Sequence, residues 1–246
     1  MMIKTDKLTM SDGCEIAYRH YDGGNKKVVV IVHGFYNSKD SELLSLLAKR
    51  LSVEYDVFIF DLRGHGKSGG RFTWTTREED DLGAVLDYLR SLYQKVAVIG
   101  FSLGGTTGMN VLTSGQGKAD SFICVSAPSD FDKVDYKWWQ LDWENDIFYS
   151  LMTKGGRRGK GVRIGAWWLK KKKPIENVTK LDIPVLYLHG DKDWVVGKWH
   201  SEELYAKTRS KKDIAIIENG PHAEYLIRKY PEMMFGKITG WLRETL

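Results

Sequence analysis

Residues 95–113 read KVAVIGFSLGGTTGMNVLT, and the fold turns on them. Val96-Ala-Val-Ile99 is a continuous apolar run, the pattern of a strand covered on both faces. Gly100-Phe101-Ser102-Leu103-Gly104 then fits G-x-S-x-G, and a helical run begins at Ser102. A strand that turns sharply into a helix at such a point holds a serine hydroxyl clear of the sheet. Glycines flank the serine because a side chain there would collide with neighbouring backbone.

Outward from this turn the same alternation repeats. Val28–Val32, Val57–Phe60, Phe122–Val125, Val185–Leu188 and Ile214–Ile217 are further short β-rich apolar runs. Between them, residues 40–51, 77–92, 102–113, 199–208 and 223–244 carry helical spacing. Leu43, Leu46, Leu47 and Leu51 form one stripe, and Leu82, Val85, Leu86 and Leu89 another. Strands alternating with helices predict an α/β fold built on a doubly wound, mostly parallel sheet of about eight strands. A period-two run at Cys14–Tyr18 predicts an antiparallel edge. The alternation lapses at Asp130 and resumes at Ile183, too long a gap for a plain loop. The reading is a core of residues 1–129 and 181–246 and a helical cap insertion at 130–180, over the carboxyl edge of the sheet. Pro174 is expected to close the last cap helix.

The chain has 246 residues, enough for one well-cored domain, with 42% hydrophobic and 28% charged residues, values that argue against disorder. Lys4, Asp6 and Lys7 stand where a signal peptide would need an apolar core. Two cysteines, Cys14 and Cys124, read as buried free thiols, and the expected location is the cytoplasm. The net charge of +5 would by itself suggest nucleic acid or an acidic membrane. Residues 130–173, however, hold 11 Lys and Arg against 6 Asp and Glu, which accounts for the whole excess. The same segment carries five of the nine tryptophans. The charge is therefore a property of the cap, and no nucleic-acid or membrane-surface partner is expected.

A serine nucleophile needs a base, and the base needs a group that orients it. His189-Gly-Asp-Lys-Asp193 ends one predicted strand, and Gly220-Pro-His222 follows the last. Ser102, Asp193 and His222 then lie in the chain order this sheet topology uses, all at one edge. Asp191 competes with Asp193 but reads as a turn residue. His33-Gly34-Phe35 follows the first long parallel strand, so the backbone N–H groups of Phe35 and Leu103 could together hold an oxyanion. His33 and His65 read as loop-orienting histidines; His20, His189 and His200 show no partner pattern. Gly64–Gly69 fits G-x-G-x-x-G, but no helix opens there, and Asp61 occupies the leading glycine position of a P-loop. No Cys/His cluster has zinc spacing. No cofactor and no metal are expected.

With these residues in view, the chain resembles an α/β-hydrolase with a small cap. The matching stretches are HGFYNS (33–38), DLRGHGKSGGRF (61–72), GFSLGG (100–105), HGDKDWVV (189–196) and GPHAEY (220–225). They are most similar to bacterial carboxylesterases of the cinnamoyl or feruloyl esterase type; monoacylglycerol lipase-like enzymes share much of the pattern. The resemblance implies Ser102 as nucleophile, His222 as general base and acid, Asp193 as its orienter, and Phe35 and Leu103 as oxyanion donors. Phe101 departs from the histidine many relatives carry beside the serine, which bears on sub-family only.

Within the cap, Ile164, Trp167 and Trp168 are expected on one face of a short helix. Trp138, Trp139, Trp167 and Trp168 are the candidate substrate-binding side chains, because pockets are mostly apolar. Gly155, Gly156, Gly159 and Gly161 suggest a mobile connector. The function expected is a serine carboxylesterase acting on a small-molecule ester with a small acyl or aromatic-acid group. Alternatives with the same triad are a lipase, thioesterase or peptidase. The non-enzymatic alternative is a silent ligand- or surface-binding protein, which would be expected to have lost a triad member.

Overall fold

The computed structural model describes residues 1–141, 143–166 and 168–246, with their side chains except those of Trp138, Asn145, Asp146 and Ile147. In chain order the elements are β1 (Met2–Thr9), β2 (Glu15–Asp22), β3 (Lys27–Val32), α1 (Glu42–Leu51), β4 (Asp56–Phe60), α2 (Glu78–Leu92), β5 (Lys95–Phe101), α3 (Leu103–Ser114) and β6 (Ser121–Val125). There follow α4 (Tyr149–Met152), α5 (Lys154–Arg157), α6 (Pro174–Asn177), β7 (Val185–Gly190), α7 (Trp199–Lys207), β8 (Lys212–Ile217), α8 (Tyr225–Lys229) and α9 (Pro231–Thr245).

Among the described residues, eight strands form one sheet in the order β1-β2-β4-β3-β5-β6-β7-β8. β1, β2 and β4 pair antiparallel, and the six strands from β4 to β8 run parallel. The antiparallel edge is thus a hairpin, with β1 outermost. The parallel strands are apolar on both faces because both faces are covered. Val28, Val30 and Val32 point to the side of α2 and α3, against Leu82, Val85, Leu86 and Met109. Val29 and Ile31 point to the side of α1 and α9, against Leu44, Leu47, Ile238 and Trp241. In α1 the buried stripe is Leu43, Leu44, Leu47 and Leu51, and Leu46 faces solvent.

Three expectations are corrected. The final helix is broken at Tyr230–Pro231 into α8 and α9, because proline removes the N–H a continuing helix needs and suits a first turn. Pro174 opens α6 at its first position rather than closing a helix, for the same reason. Residues 162–165 do not form a helix. Val162 bridges His65 and Ile164 bridges Phe72, with Arg163 N–H donating to the Gly64 carbonyl at 2.7 Å and Phe72 N–H to the Arg163 carbonyl at 2.8 Å. The β-branched Val162 and Ile164 favour extended backbone, and Gly64 at φ 76° lets the opposing loop turn to meet them. Of the glycines expected in a connector, Gly156 and Gly159 allow close approaches, to the Tyr149 carbonyl and to the loop at Ser38.

Among the described residues no helix is long and apolar enough to cross a membrane, and no group of three or more His, Cys, Asp or Glu side chains is disposed to hold a metal ion. Both cysteines are free: Cys124 is buried in β6 and Cys14 half-buried.

Candidate active site

β3 is flanked by β4 on one side and β5 on the other, so the strand order reverses there and a crevice opens at the carboxyl ends of β3 and β5. Ser102 sits at that point. Its backbone, at φ 50° and ψ −116°, lies outside the regions most residues adopt, a conformation sustained only when its surroundings enforce it. Those surroundings are tight. A Cβ at Gly104 would run into the carbonyls of Val32 and His33, and one at Gly100 into Gly104 and Gly105. The Ser102 N–H donates to the Val125 carbonyl at 2.8 Å.

The histidine and the aspartate arrive on two adjoining loops. Gly190 ends β7 with its α-carbon against the backbone of Gly220, so close that a methyl group would not fit. Lys192 N–H donates to the Gly220 carbonyl at 3.0 Å, and Ala223 N–H to Ser126 Oγ at 3.1 Å. These contacts bring Asp193 and His222 side by side. His222 Nδ1 is 2.7 Å from Asp193 Oδ2, and His222 Nε2 is 3.0 Å from Ser102 Oγ. Asp193 is buried, and its other oxygen accepts the N–H groups of Val195 and Val196 at 3.0 and 2.8 Å. Burial alone would raise this carboxyl. The charge of His222 and the hydrogen bonds from His189 and His222 outweigh it and hold Asp193 well below the usual carboxylate range. Asp191 is placed differently: its N–H joins the Ile217 carbonyl at 3.0 Å.

Phe35 and Leu103 border the same cavity as Ser102 and His222. Neither backbone N–H has an acceptor among the described residues. Leu103 opens α3, where free N–H groups and the helix dipole favour negative charge. His33 supports this loop, accepting the Leu62 N–H on Nε2 at 3.0 Å and donating from Nδ1 to the Gly34 carbonyl at 2.7 Å. Burial pushes its pKa down to about 4, so it is neutral near pH 7 and serves as a scaffold for the loop.

The cavity has a volume of about 890 Å³. Among the described residues its aromatic lining consists of Phe35, Tyr36, Trp74, Phe131, Tyr136, Trp194 and Tyr225. Trp139 and Trp168, expected to bind substrate, are 78% and 71% exposed and do not border it. For Trp168 the physical reason is the extended course of residues 162–165, which replaces the helix expected to turn one aromatic face inward; Trp139 lies in a separate short turn at Trp138–Gln140. Trp167 and the Trp138 side chain lie outside the described residues. The composition signal was sound for aromatic richness but could not say which aromatic rings face the site, since Trp74 and Trp194 come from loops of the core.

Sequence reasoning also passed over His189. It is fully buried, with Nε2 donating to the Val196 carbonyl at 2.7 Å and lying 3.3 Å from Asp193 Oδ2, while Nδ1 meets Ser201 Oγ at 2.6 Å. Its place four residues before Asp193 was the available signal. Lys160, Glu224 and Tyr225 were missed as well. Glu224 accepts from Asn37 Nδ2 at 2.6 Å and pairs with Lys160 at 3.3 Å, tying the insertion to the histidine loop.

A family model described as alpha/beta hydrolase fold matches residues 27–151. The chain belongs to the alpha/beta hydrolase fold family. Uncharacterized protein YqkD of Bacillus subtilis (strain 168) is 29% identical over 210 residues, covering 79% of this chain and 64% of YqkD. The chain therefore spans less than two thirds of that relative. A non-heme haloperoxidase of Rhodococcus erythropolis is 26% identical, covering 94% of this chain and 93% of its own. Among solved structures, the Pyrococcus furiosus esterase Pf2001 superposes with a TM-score of 0.78 at 21% identity, covering 99% of this chain and 93% of its own. Esterase RhEst1 from Rhodococcus sp. ECU1013 gives 0.78 at 20% identity with 100% of both chains covered. These two likenesses are of fold, and they run over nearly the whole chain.

Proposed function

We propose that this alpha/beta hydrolase is a serine carboxylic-ester hydrolase. The observation that carries the reading is the continuous hydrogen-bonded path from Ser102 Oγ through His222 to a buried, ionised Asp193, opening on an apolar cavity. His222 Nε2 takes the proton of Ser102 as Oγ attacks the acyl carbon, and Asp193 keeps Nδ1 protonated and stabilises the imidazolium. The Phe35 and Leu103 N–H groups receive the oxyanion. The C–O bond to the leaving alkoxide breaks as His222 returns the proton, and an alcohol departs. Water, deprotonated by the same histidine, then attacks the acyl-enzyme and releases the acid, restoring Ser102.

Residues 130–180 act in this reading as a cap that closes the cavity from above and selects the substrate. The aromatic walls favour a small acyl or aromatic-acid ester, the cinnamoyl or feruloyl type being one such class. Every group the reaction calls on belongs to the chain, so no cofactor enters.

The test is covalent labelling with a fluorophosphonate probe together with hydrolysis of p-nitrophenyl butyrate and ethyl ferulate. Labelling is expected to be confined to Ser102 and to vanish in Ser102→Ala. Undiminished turnover in Ser102→Ala or His222→Ala would overturn the assignment, and ethyl ferulate against butyrate decides the acyl class.

A further inference from the structure

Among the described residues, four charged side chains border the cavity: Arg157, Lys160, Lys171 and Glu224. Two of them cancel. Glu224 is engaged by Asn37 and by Lys160. Burial alone would depress the Lys160 ammonium, but the Glu224 carboxylate beside it reverses that and raises its pKa. Asp193 lies behind the cavity wall, committed to His222 and His189. Arg157 and Lys171 remain, and neither forms an ion pair among the described residues.

Lys171 stands apart from its neighbours in the run of four lysines. Lys172 reaches Glu79 at 2.6 Å, and Lys173 reaches Asp130 at 3.0 Å and Asp132 at 2.7 Å. Lys171 instead lies half-buried over Trp74, with Nζ 5.2 Å from the ring centroid. Trp74 and Thr75 both hold positive φ, 55° and 80°, and the Trp74 indole is packed against Phe35, Phe72 and Phe131. That indole stacks on Phe35, centroids 5.2 Å apart and planes 14° from parallel. An aromatic wall therefore runs from Phe35 to an ammonium that forms no ion pair within 4.0 Å among the described residues. Asp132 lies within the field of Lys171 but is bridged by Lys173 at 2.7 Å, so Arg157 and Lys171 leave a net positive potential over the cavity.

Resting on the serine-hydrolase reading, we infer that the cavity takes an ester bearing a second, ionised carboxylate. Lys171 anchors that carboxylate, the apolar stem lies along Trp74 and Phe35, and Arg157 strengthens the field. Hydrolysis then yields either a dicarboxylic acid or a hydroxy-acid, according to which half of the ester carries the charge.

Two matched pairs test this: p-nitrophenyl hemiglutarate against its methyl ester, and 3-carboxyphenyl butyrate against 3-carbamoylphenyl butyrate. In at least one pair the wild-type protein is expected to prefer the anion in kcat/KM by about tenfold, the scale of one charge-assisted hydrogen bond. The preference should shrink with added salt. It should collapse in Lys171→Met, fall in Arg157→Met, and survive in Lys171→Arg and in the exposed control Lys118→Met. Ratios at or below one in both pairs would overturn the inference, as would a preference that Lys171→Met leaves intact. The wild-type salt series keeps the test valid should Lys171→Met misfold. Absence of hydrolysis in every pair, with no fluorophosphonate label on Ser102, would instead sink the ester-hydrolase reading itself.

Discussion

His189 Nε2 lies 3.3 Å from Asp193 Oδ2, the same oxygen that meets His222. One buried carboxylate oxygen is thus flanked by two imidazoles, only one of which reaches the serine. His189 donates from Nε2 to the Val196 carbonyl at 2.7 Å and so steadies the turn whose Val195 and Val196 N–H groups hold Asp193. His189→Leu removes the donor and is expected to lower kcat by about 10-fold to 100-fold, since small displacements of an oriented base are costly. His189→Gln, which still offers an N–H, should recover part of that loss at equal thermal stability. Parallel kcat and melting measurements on both variants distinguish positioning from general destabilisation.

Gly190→Ala places a methyl group into the Gly220 backbone. Overpacking of this kind costs about 1–3 kcal/mol, and here the strain falls between the two loops carrying Asp193 and His222. Activity on p-nitrophenyl butyrate should fall more steeply than the urea midpoint. A variant that keeps full activity would show that the glycine contact is not what sets the loop spacing.

Stability should depend on pH through buried histidines. Burial lowers His33 from 6.5 to about 4, His65 to about 3 and His200 to about 4. The folded chain binds fewer of these protons than the unfolded chain below pH 6.5. Their contribution is therefore full above 6.5 and is lost as pH falls toward the folded values. For His33 alone the span corresponds to about 3 kcal/mol. Urea unfolding from pH 7.5 down to about 4 should show a falling midpoint, and His33→Asn should flatten the trend. Asp193, held below the usual carboxylate range, continues the decline beneath its unfolded value of 3.8.

Lys160→Met leaves Glu224 buried with only Asn37 as a partner. Removing one member of a buried pair is costly, and at 3.3 Å with the lysine 14% exposed the expected loss is about 2 kcal/mol. The double variant Lys160→Met/Glu224→Gln should recover much of it, because the stranded charge is gone. Calorimetric melting of the three proteins measures the coupling.

Much of this was legible in the chain. Val28–Val32 and Val96–Ile99 are apolar at every position because helices cover both faces of a parallel sheet, and that requirement writes itself into local composition. The serine turn was legible for a similar reason: only glycine fits at 100 and 104 where backbones touch. The insertion was not. Trp139 and Trp168 are as aromatic as Trp74 and Trp194, yet they face solvent, and Val162–Ile164 pairs with the 64–72 loop instead of coiling. Such choices depend on partners dozens of residues away, which no local period encodes.

By itself, then, the sequence determined the alpha/beta sheet, the strand-end placement of Ser102, Asp193 and His222, and a segment, 130–173, carrying the whole net charge. These follow from burial patterns and from steric limits that act over a few residues. Only the tertiary structure decided which aromatic rings line the cavity, that His189 backs Asp193, and that of four consecutive lysines Lys171 alone turns onto Trp74 among the described residues. Charge and packing are settled by what stands opposite a side chain, and that is known only once the chain has folded.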